Sequence, residues 1–565
     1  MNNRDKKIKI VGLNARFTHS CLALFYVRNE LEKNCPDYHR QLLQFTINDN
    51  YYEMLLRLSR GNPGYIFFSA AIWNSSLVEK LTLDLRICLP DCRVVIGGPQ
   101  ASVLGERLGA DICTIVFGEI EGIEKNFYRD LEAGCLRPRY SASFFAMKER
   151  RFDYPYREAD FTDHLKNRHI YFESSRGCPF SCTYCLSAGE KGLYHKELKA
   201  VETELRDILS HRPKVIRFID RTFNDVPDRA LAIWTFLAAE GGETLFHFEM
   251  APDRFTEEMF DFLGTIEPGR FQFELGIQST HDKTLEAVNR RVDPLETRQT
   301  ISRLARLGNI HLHVDLILGL PYETRDSFAA SFRDVFAMGA HYIQMGLLKI
   351  LPDTPICHGA DEFGYAHCSE PPYSILRTRW MDHPTIRNLY WFSELVEKFH
   401  NNRYFVSLWR YLRKNGVDVY QFFQDLLLLC QAGGFFQLAA TQELMSTKLV
   451  ELFARREDRD LVVELLRYDW LRCGFRFLPT CLKVDSSREQ PEETKSGLYQ
   501  SLPAEFDGVY SRSSRNQFFR KSYFLRISKD ACNEIGLSTN AVRPCLCILQ
   551  ERELTVSAYN KIMIL

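Results

Sequence analysis

Two blocks of this sequence alternate short apolar runs with segments of helical periodicity, and that alternation admits few folds. In the first block the apolar runs are 8–13 (IKIVGL), 65–70 (YIFFSA), 94–98 (VVIGG) and 112–117 (ICTIVF), with a helix predicted over 22–33. In the second they are 170–174, 215–219, 245–250, 271–277, 313–318 and 342–348. Helical stretches at 197–209, 228–239, 256–263, 284–288, 297–307 and 327–338 separate these. Parallel strands need a crossover helix between them, and strands covered on both faces read as apolar runs. The first block therefore predicts an α/β unit over 1–140, an open and doubly wound parallel sheet. The second predicts a partial (β/α)6 barrel over 169–365.

Between the blocks, 141–168 is charged and aromatic with no clear period and reads as a linker. From 372 to 565 a mostly helical domain is predicted, with helices at 385–399, 404–411, 420–429 and 441–453. Its end carries β-like runs (YFLRI, CLCIL, LTVSAY), and the polar 486–494 reads as a loop. A length of 565 residues agrees with several domains of roughly 150 residues each. The net charge of −1 provides no global field toward nucleic acid or an anionic membrane. The opening residues are polar and no run of about 18 apolar residues occurs, so neither a signal peptide nor a membrane-spanning helix is expected. Seventeen cysteines in such a chain point to reduced thiols, metal chemistry and a cytoplasmic setting.

The most specific motif opens the second block. Ser174-Ser175-Arg176-Gly177-Cys178-Pro179-Phe180-Ser181-Cys182-Thr183-Tyr184-Cys185 contains C-x3-C-x2-C directly after a predicted strand. Thiolates are the ligands of iron–sulfur clusters, which normally take four; this run offers three. Gly177 and Pro179 keep the backbone out of helix. On spacing alone two readings stand: a cluster with one iron open to substrate, or a structural zinc or iron–sulfur site completed by a distant cysteine.

This segment, with aromatic Tyr184 just before the third cysteine, resembles the radical SAM signature. The resemblance implies that Cys178, Cys182 and Cys185 hold a [4Fe–4S] cluster whose free iron chelates S-adenosylmethionine. Cleavage of a carbon–sulfur bond by an electron from the cluster then releases a 5′-deoxyadenosyl radical. Later segments follow the family's order over about 170–350. Residues 217–224 (RFIDRTFN) are similar to the second-strand motif facing the methionine amino group, which makes Asp220 a candidate. Phe248-Glu249-Met250 resembles the strand with a ribose-binding acid, here Glu249. Residues 273–279 (FELGIQS) and Ala287-Val288-Asn289-Arg290 are close to oxygen-independent coproporphyrinogen oxidases and methylthiotransferases. They single out Gln278, and Arg290 as a partner for the methionine carboxylate, which suits a guanidinium fork. Residues 315–321 (DLILGLP) match the next strand and its adenine-side turn. Read singly, Glu249 is equally a solvated rim residue and Gln278 a group that satisfies buried backbone.

The front unit resembles the Rossmann-like, cobalamin-binding domain that precedes many radical SAM domains. Gly97-Gly98-Pro99 and Gly118-Glu119-Ile120-Glu121-Gly122 carry the likeness. In open sheets ligands sit at the carboxyl ends of the strands, so the loops 14–20, 69–75, 97–102 and 118–122 are the ones of interest. The absence of G-x-G-x-x-G and of a Walker motif counts against NAD and ATP. The Asp-x-His-x-x-Gly element is also missing, and His19 lacks its context. The likeness therefore implies cobalamin without a protein histidine on cobalt, with Trp73 either against the corrin or in the core. Methylthiotransferases carry three further cluster cysteines in front; Cys21, Cys35, Cys88, Cys92 and Cys113 show no such arrangement and read as buried thiols.

In the C-terminal third, Tyr390-Trp391-Phe392 and Phe422-Phe423 read as helix core. Arg512, Arg515, Arg520 and Lys521, interleaved with Phe518 and Phe519, read as a solvated patch in preference to a nucleic-acid surface. The expectation is a cobalamin-dependent radical SAM enzyme that methylates an unactivated centre of a small-molecule or peptide substrate. Its electron donor would be a flavodoxin or ferredoxin, and no membrane or nucleic-acid partner is expected. Cyclisation, oxidation or rearrangement by the same cofactors is the alternative within the enzyme class; a non-catalytic iron–sulfur or cobalamin-binding protein is the alternative outside it.

Overall fold

The computed structural model describes residues 6–147, 150–189, 192–475, 477–483, 522–553 and 558–564. The basic–aromatic patch around Arg512 and Lys521, the loop 486–494 and part of the last β-like run lie outside the described residues.

The front unit is a six-stranded parallel sheet. Its strands are β1 (Lys7–Asn14), β2 (His39–Thr46), β3 (Tyr65–Ser69), β4 (Arg93–Gly97), β5 (Cys113–Phe117) and β6 (Arg139–Ser141), in the order β2-β1-β3-β4-β5-β6. The order reverses direction between β1 and β3, so the crevice expected of a doubly wound sheet opens there. Periodicity did not predict β2 or β6. β2 is an edge strand of mixed burial, and its polar residues interrupt any apolar run; β6 is three residues long.

The second block forms a six-stranded parallel sheet from β7 (Ile170–Phe172), β10 (Val215–Phe218), β11 (Leu245–Met250), β12 (Phe271–Gln278), β13 (His311–Leu318) and β14 (Tyr342–Leu347), in that spatial order. Each runs parallel to its neighbour, and helices cross over between most of them, as the alternation predicts. These strands alternate sharply. In β12, Phe271, Phe273, Leu275 and Ile277 are buried under the helices, and Gln272, Glu274, Gly276 and Gln278 line the lumen. A closed eight-stranded barrel fills its lumen with branched apolar side chains; this open one carries polar groups there. The helix-facing core is aromatic: Trp234 of the helix Pro227–Glu240 is fully buried and stacks 5.2 Å from Phe273. A buried ring of this size contributes about 2–3 kcal/mol.

The segment predicted as a linker is packed instead. Phe144, Phe152, Tyr156, Phe161 and Leu165 are all buried. Arg28 of the front unit pairs with Asp160 at 2.5 Å, both side chains buried, and donates to the Pro155 carbonyl at 2.9 Å. These aromatics showed no period because a largely irregular strap, with a single 3-10 turn at Phe144–Ala146 and a short helix at Glu158–Asp163, presents them.

The C-terminal part packs helices His383–Phe399, Val406–Lys414, Val419–Ala432, Gln442–Leu452 and Arg459–Arg472 beside the barrel. Tyr390 points outward, unlike the helix-core expectation, and Phe392, Phe422 and Phe423 are buried. A three-stranded antiparallel sheet contains Ser522–Arg526, Cys545–Glu553 and Ala558–Ile564. Among the described residues no helix is long and apolar enough to cross a membrane.

Candidate functional site

The cysteine loop hangs from a hairpin that the sequence did not reveal. After β7 the chain forms β8 (Ser175–Gly177), which pairs antiparallel with β9 (Leu193–His195). Gly177 adopts φ +96°, and a β-carbon there would overlap the Gly192 carbonyl oxygen, so only glycine fits. Asp220, at the end of β10, braces this turn from beneath. It is buried and accepts hydrogen bonds from Ser174 N (3.0 Å), Ser174 Oγ (2.6 Å) and Ser175 Oγ (2.5 Å). Burial pushes its carboxyl up, and these bonds oppose that rise. The far side of the loop is tied by Thr183 N to Val288 O and Ile356 N to Thr183 O, both at 3.0 Å.

Cys178, Cys182 and Cys185 are free thiols. Cys178 Sγ lies 3.7 Å from Thr222 Oγ1, and Arg290 Nη1 donates to Cys182 Sγ at 3.7 Å. Arg290 also donates to the Gly276 carbonyl, and its Nε is buried without a partner. Tyr184 is largely buried beside Cys182 and Arg290, and burial pushes its phenol well up. Three thiols on one braced loop, one beside a hydroxyl and one receiving a guanidinium donor, suit thiolate ligands. This donor set fits an iron–sulfur cluster.

Below the loop the lumen carries ionisable groups in layers. Glu249 stands in register with Glu274, and burial with that neighbouring charge pushes its carboxyl up to about 7. Gln278 has φ +71° where β12 bulges against β13, and its amide lies against Gly276. Arg217 Nη2 is 3.1 Å from His247 Nε2, which is 3.0 Å from Glu274 Oε2. His313 lies 3.9 Å from Glu274 and 3.3 Å from Asp315. Burial would raise the Glu274 carboxyl, but the His247 hydrogen bond and the adjacent positive field hold it down to about 2. Burial and the Glu274 charge push Asp315 well up. The sequence reading assigned no role to Arg217, His247, Glu274, His313 or Asp315. For Glu274, His313 and Asp315 the signal was the strict alternation of FQFELGIQ and HLHVDLIL, which places each on the lumen face of its strand.

The carboxyl-end loops of the front sheet meet the barrel chain. After β1, His19 Nδ1 is 2.5 Å from the Tyr171 hydroxyl. After β4, Ser102 donates to Asp353 at 2.7 Å and Gln100 accepts from Tyr373 at 2.8 Å. After β5, Glu121 pairs at 3.1 Å with Arg176, which also pairs with Glu173 and stacks 4.3 Å over Phe152. The loop after β3 leaves Trp73 55% exposed, its indole donating to Leu13 O at 3.2 Å, so Trp73 is not core. Gly98 adopts φ +95°, and a β-carbon there would stand 2.6 Å from Ala70 O; the close approach is to the chain's own β3 loop. Gly97 makes only ordinary contact, 3.7 Å from a virtual β-carbon to Val116 O. At Gly118, φ +76°, a β-carbon would overlap Ala142 O, and Glu119 accepts from Phe144 N at 3.3 Å. These two residues seat the strap. A crevice at the switch point with an exposed indole beside it fits a flat macrocycle. Of the front cysteines, Cys35 and Cys113 are buried, Cys21 and Cys92 partly so, and Cys88 is exposed at the end of helix Ser75–Cys88, against the buried-thiol expectation.

Residues 172–335 match the family model described as the radical SAM superfamily. This chain contains a radical SAM domain. Residues 361–541, after the radical SAM match, match a family described as a protein of unknown function (DUF4080). Two curated relatives each match 45% of this chain. The 2-(S-pantetheinyl)-carbapenam-3-carboxylate methyltransferase of Streptantibioticus cattleyicolor is 26% identical over 281 residues, covering 45% of this chain and 41% of that protein. The cobalamin-dependent radical SAM methyltransferase TokK of Streptomyces tokunonensis is 25% identical over 281 residues, with the same coverage of 45% and 41%. The chain thus spans about two fifths of the length of these relatives. In fold, it is similar to the cobalamin-dependent S-adenosylmethionine radical enzyme OxsB with aqua-cobalamin bound: TM-score 0.56, 14% identity, covering 87% of this chain and 84% of that one. It is also similar to the radical S-adenosylmethionine methyltransferase TsrM of Kitasatospora setae, with TM-score 0.52, 17% identity and coverage of 64% and 77%.

Proposed function

We propose that this chain is a cobalamin-dependent radical SAM enzyme that cleaves S-adenosylmethionine reductively and methylates an unactivated centre of a small-molecule or peptide substrate. One observation carries this reading. The loops after β1, β4 and β5 of the front sheet bond to Tyr171, Asp353, Tyr373 and Arg176, so the crevice of that sheet is turned toward the chain that bears the cysteine loop. The names of the two curated relatives, both methyltransferases, agree with it.

A cluster held by Cys178, Cys182 and Cys185 supplies one-electron cleavage of the carbon–sulfur bond, and cobalamin in the front crevice supplies methyl transfer. The residues around them bind, orient and tune. Asp220 holds the cysteine loop by its three accepted hydrogen bonds. Thr222 and Arg290 place donors beside two sulfurs, and the spare Nε–H of Arg290 is available to a carboxylate. Glu249 and Gln278 line the lumen side of the loop and offer hydrogen bonds to ribose hydroxyls. Trp73 offers an apolar face in the crevice. The electron donor is a flavodoxin or ferredoxin, and the setting is the cytoplasm.

The test is anaerobic purification with iron, sulfide and cobalamin, followed by incubation with reductant and S-adenosylmethionine. The expected products are 5′-deoxyadenosine, absent in Cys178→Ala, and S-adenosylhomocysteine beside it. The protein should retain corrinoid through gel filtration. No 5′-deoxyadenosine above the Cys178→Ala control sinks the radical chemistry, and no retained corrinoid sinks the role of the front unit. 5′-Deoxyadenosine without S-adenosylhomocysteine replaces methyl transfer by another radical reaction.

A further inference from the structure

The lumen holds a second set of metal-ligating side chains, apart from the cysteine loop. We propose that Glu274, His313 and Asp315 form a site for one divalent first-row cation, with His247 orienting the Glu274 carboxylate. Glu274 and His313 are register partners on β12 and β13, and Asp315 lies two residues on, on the same face. One ligand atom from each falls within 4.8 Å of the others. That arrangement needs no loop to close it, because three positions on two paired strands are set by the sheet itself.

The second observation is an unmet demand. His313 Nε2 and Asp315 Oδ1 are 3.3 Å apart, both shut off from solvent, and neither makes a hydrogen bond. Buried polar atoms without partners cost about 1–3 kcal/mol each, and folded proteins rarely leave two facing one another. A cation among the three side chains would engage Asp315 and the imidazole together. Imidazole with two carboxylates is the donor set of zinc, iron(II) and manganese(II), not of the soft copper(I) ion that seeks sulfur. The surrounding shell has the usual form of a metal site as well. His247 Nε2 reaches Glu274 Oε2 at 3.0 Å and, as the N–H donor there, fixes the carboxylate's orientation. A lone ammonium group of a substrate is the competing occupant, and displacement of manganese by zinc tells the two apart.

The experiment uses the full chain with its iron–sulfur content reconstituted, freed of loose metal and titrated with manganese(II) chloride. Free manganese is read from its six-line electron paramagnetic resonance signal. One manganese per chain is expected, displaced by zinc. Glu274→Gln and His313→Gln should each weaken binding by about tenfold or more, with iron and sulfide contents unchanged to show that the cysteine loop is intact. Asp315→Asn serves as the third variant should either of these fail to fold. No binding by the wild type overturns the proposal, and so does equal binding by the Glu274→Gln/His313→Gln double variant. Release of manganese by saturating S-adenosylmethionine also overturns it, since the carboxylates would then belong to that ligand's site. None of these outcomes bears on whether 5′-deoxyadenosine is formed, so this site and the proposed radical chemistry fail separately.

Discussion

Glu323 stands in the turn after β13. It is fully buried and accepts hydrogen bonds from Gly319 N (3.0 Å) and Ser279 Oγ (3.4 Å), joining the turn after β13 to the end of β12. Burial pushes its carboxyl up to about 8. An unfolded glutamate titrates near about 4.3. Between those values the folded chain holds a proton that the unfolded chain releases, so the stability it contributes is complete below the lower value and is lost as pH rises through the upper one. Glu323→Gln keeps an acceptor for Gly319 N and cannot ionise. Thermal unfolding followed from about pH 6 to about pH 8.5 should therefore show a melting temperature that falls more steeply for the wild type than for Glu323→Gln. Parallel curves for the two proteins contradict this account of the turn.

At the scale of elements, β14 shows how the barrel ends without closing. A terminal strand of an open sheet leaves a row of backbone groups unpaired. Here the side-chain amide of Asn401, just past the helix His383–Phe399, stands in for a neighbouring strand. It accepts from Ile343 N and donates to Ile343 O, both at 2.9 Å, while a second amide hydrogen goes to Glu397 at 2.7 Å. The C-terminal part thus satisfies the outward backbone groups of Ile343 on the barrel edge. Asn401→Ala would leave a buried N–H and a buried carbonyl unmet, a loss of about 2–4 kcal/mol in total. Urea denaturation of the purified chain should show it as a lower midpoint with unchanged slope. Asn401→Asp should fare little better, since a carboxylate repels the Ile343 carbonyl. A midpoint within error of the wild type for both variants would remove the edge-capping role.

At the scale of the whole molecule, Arg176 joins the two α/β units. Its guanidinium is buried between Glu121 of the front sheet's loop after β5 and Glu173 beside β8, over the rings of Phe144 and Phe152 at 4.7 and 4.3 Å. Arg176 precedes Gly177 and Cys178, so the front loop and the cysteine loop are tied to one side chain. Glu121→Gln would leave Arg176 paired with Glu173 but remove its ion pair to the front loop. Glu121→Gln should therefore raise amide hydrogen exchange in 118–122 and 174–178 together, with the distant helix 459–472 as an unchanged reference. Faster exchange in the front loop alone would mean that the two loops are not coupled through Arg176.

Much of this molecule was legible from local pattern. The C-x3-C-x2-C spacing, the six strands of the barrel and most of the front sheet follow from residues close in sequence, because helical and strand periods are local properties. Asp220 and Arg290 were also legible as positions, although Asp220 acts on Ser174 and Ser175 and Arg290 on Cys182 and Gly276. What only the tertiary structure decided is long-range. The β8–β9 hairpin, the aromatic strap over 144–165, the meeting of Arg176 with Glu121 and the cluster of Glu274, His313 and Asp315 join residues whose separation carries no period. The sequence by itself determined that a cysteine loop would follow a strand and that a sheet with a crevice would precede it. Only packing decided that the crevice faces the loop, because that orientation depends on side chains far apart in the chain finding partners that no local spacing records.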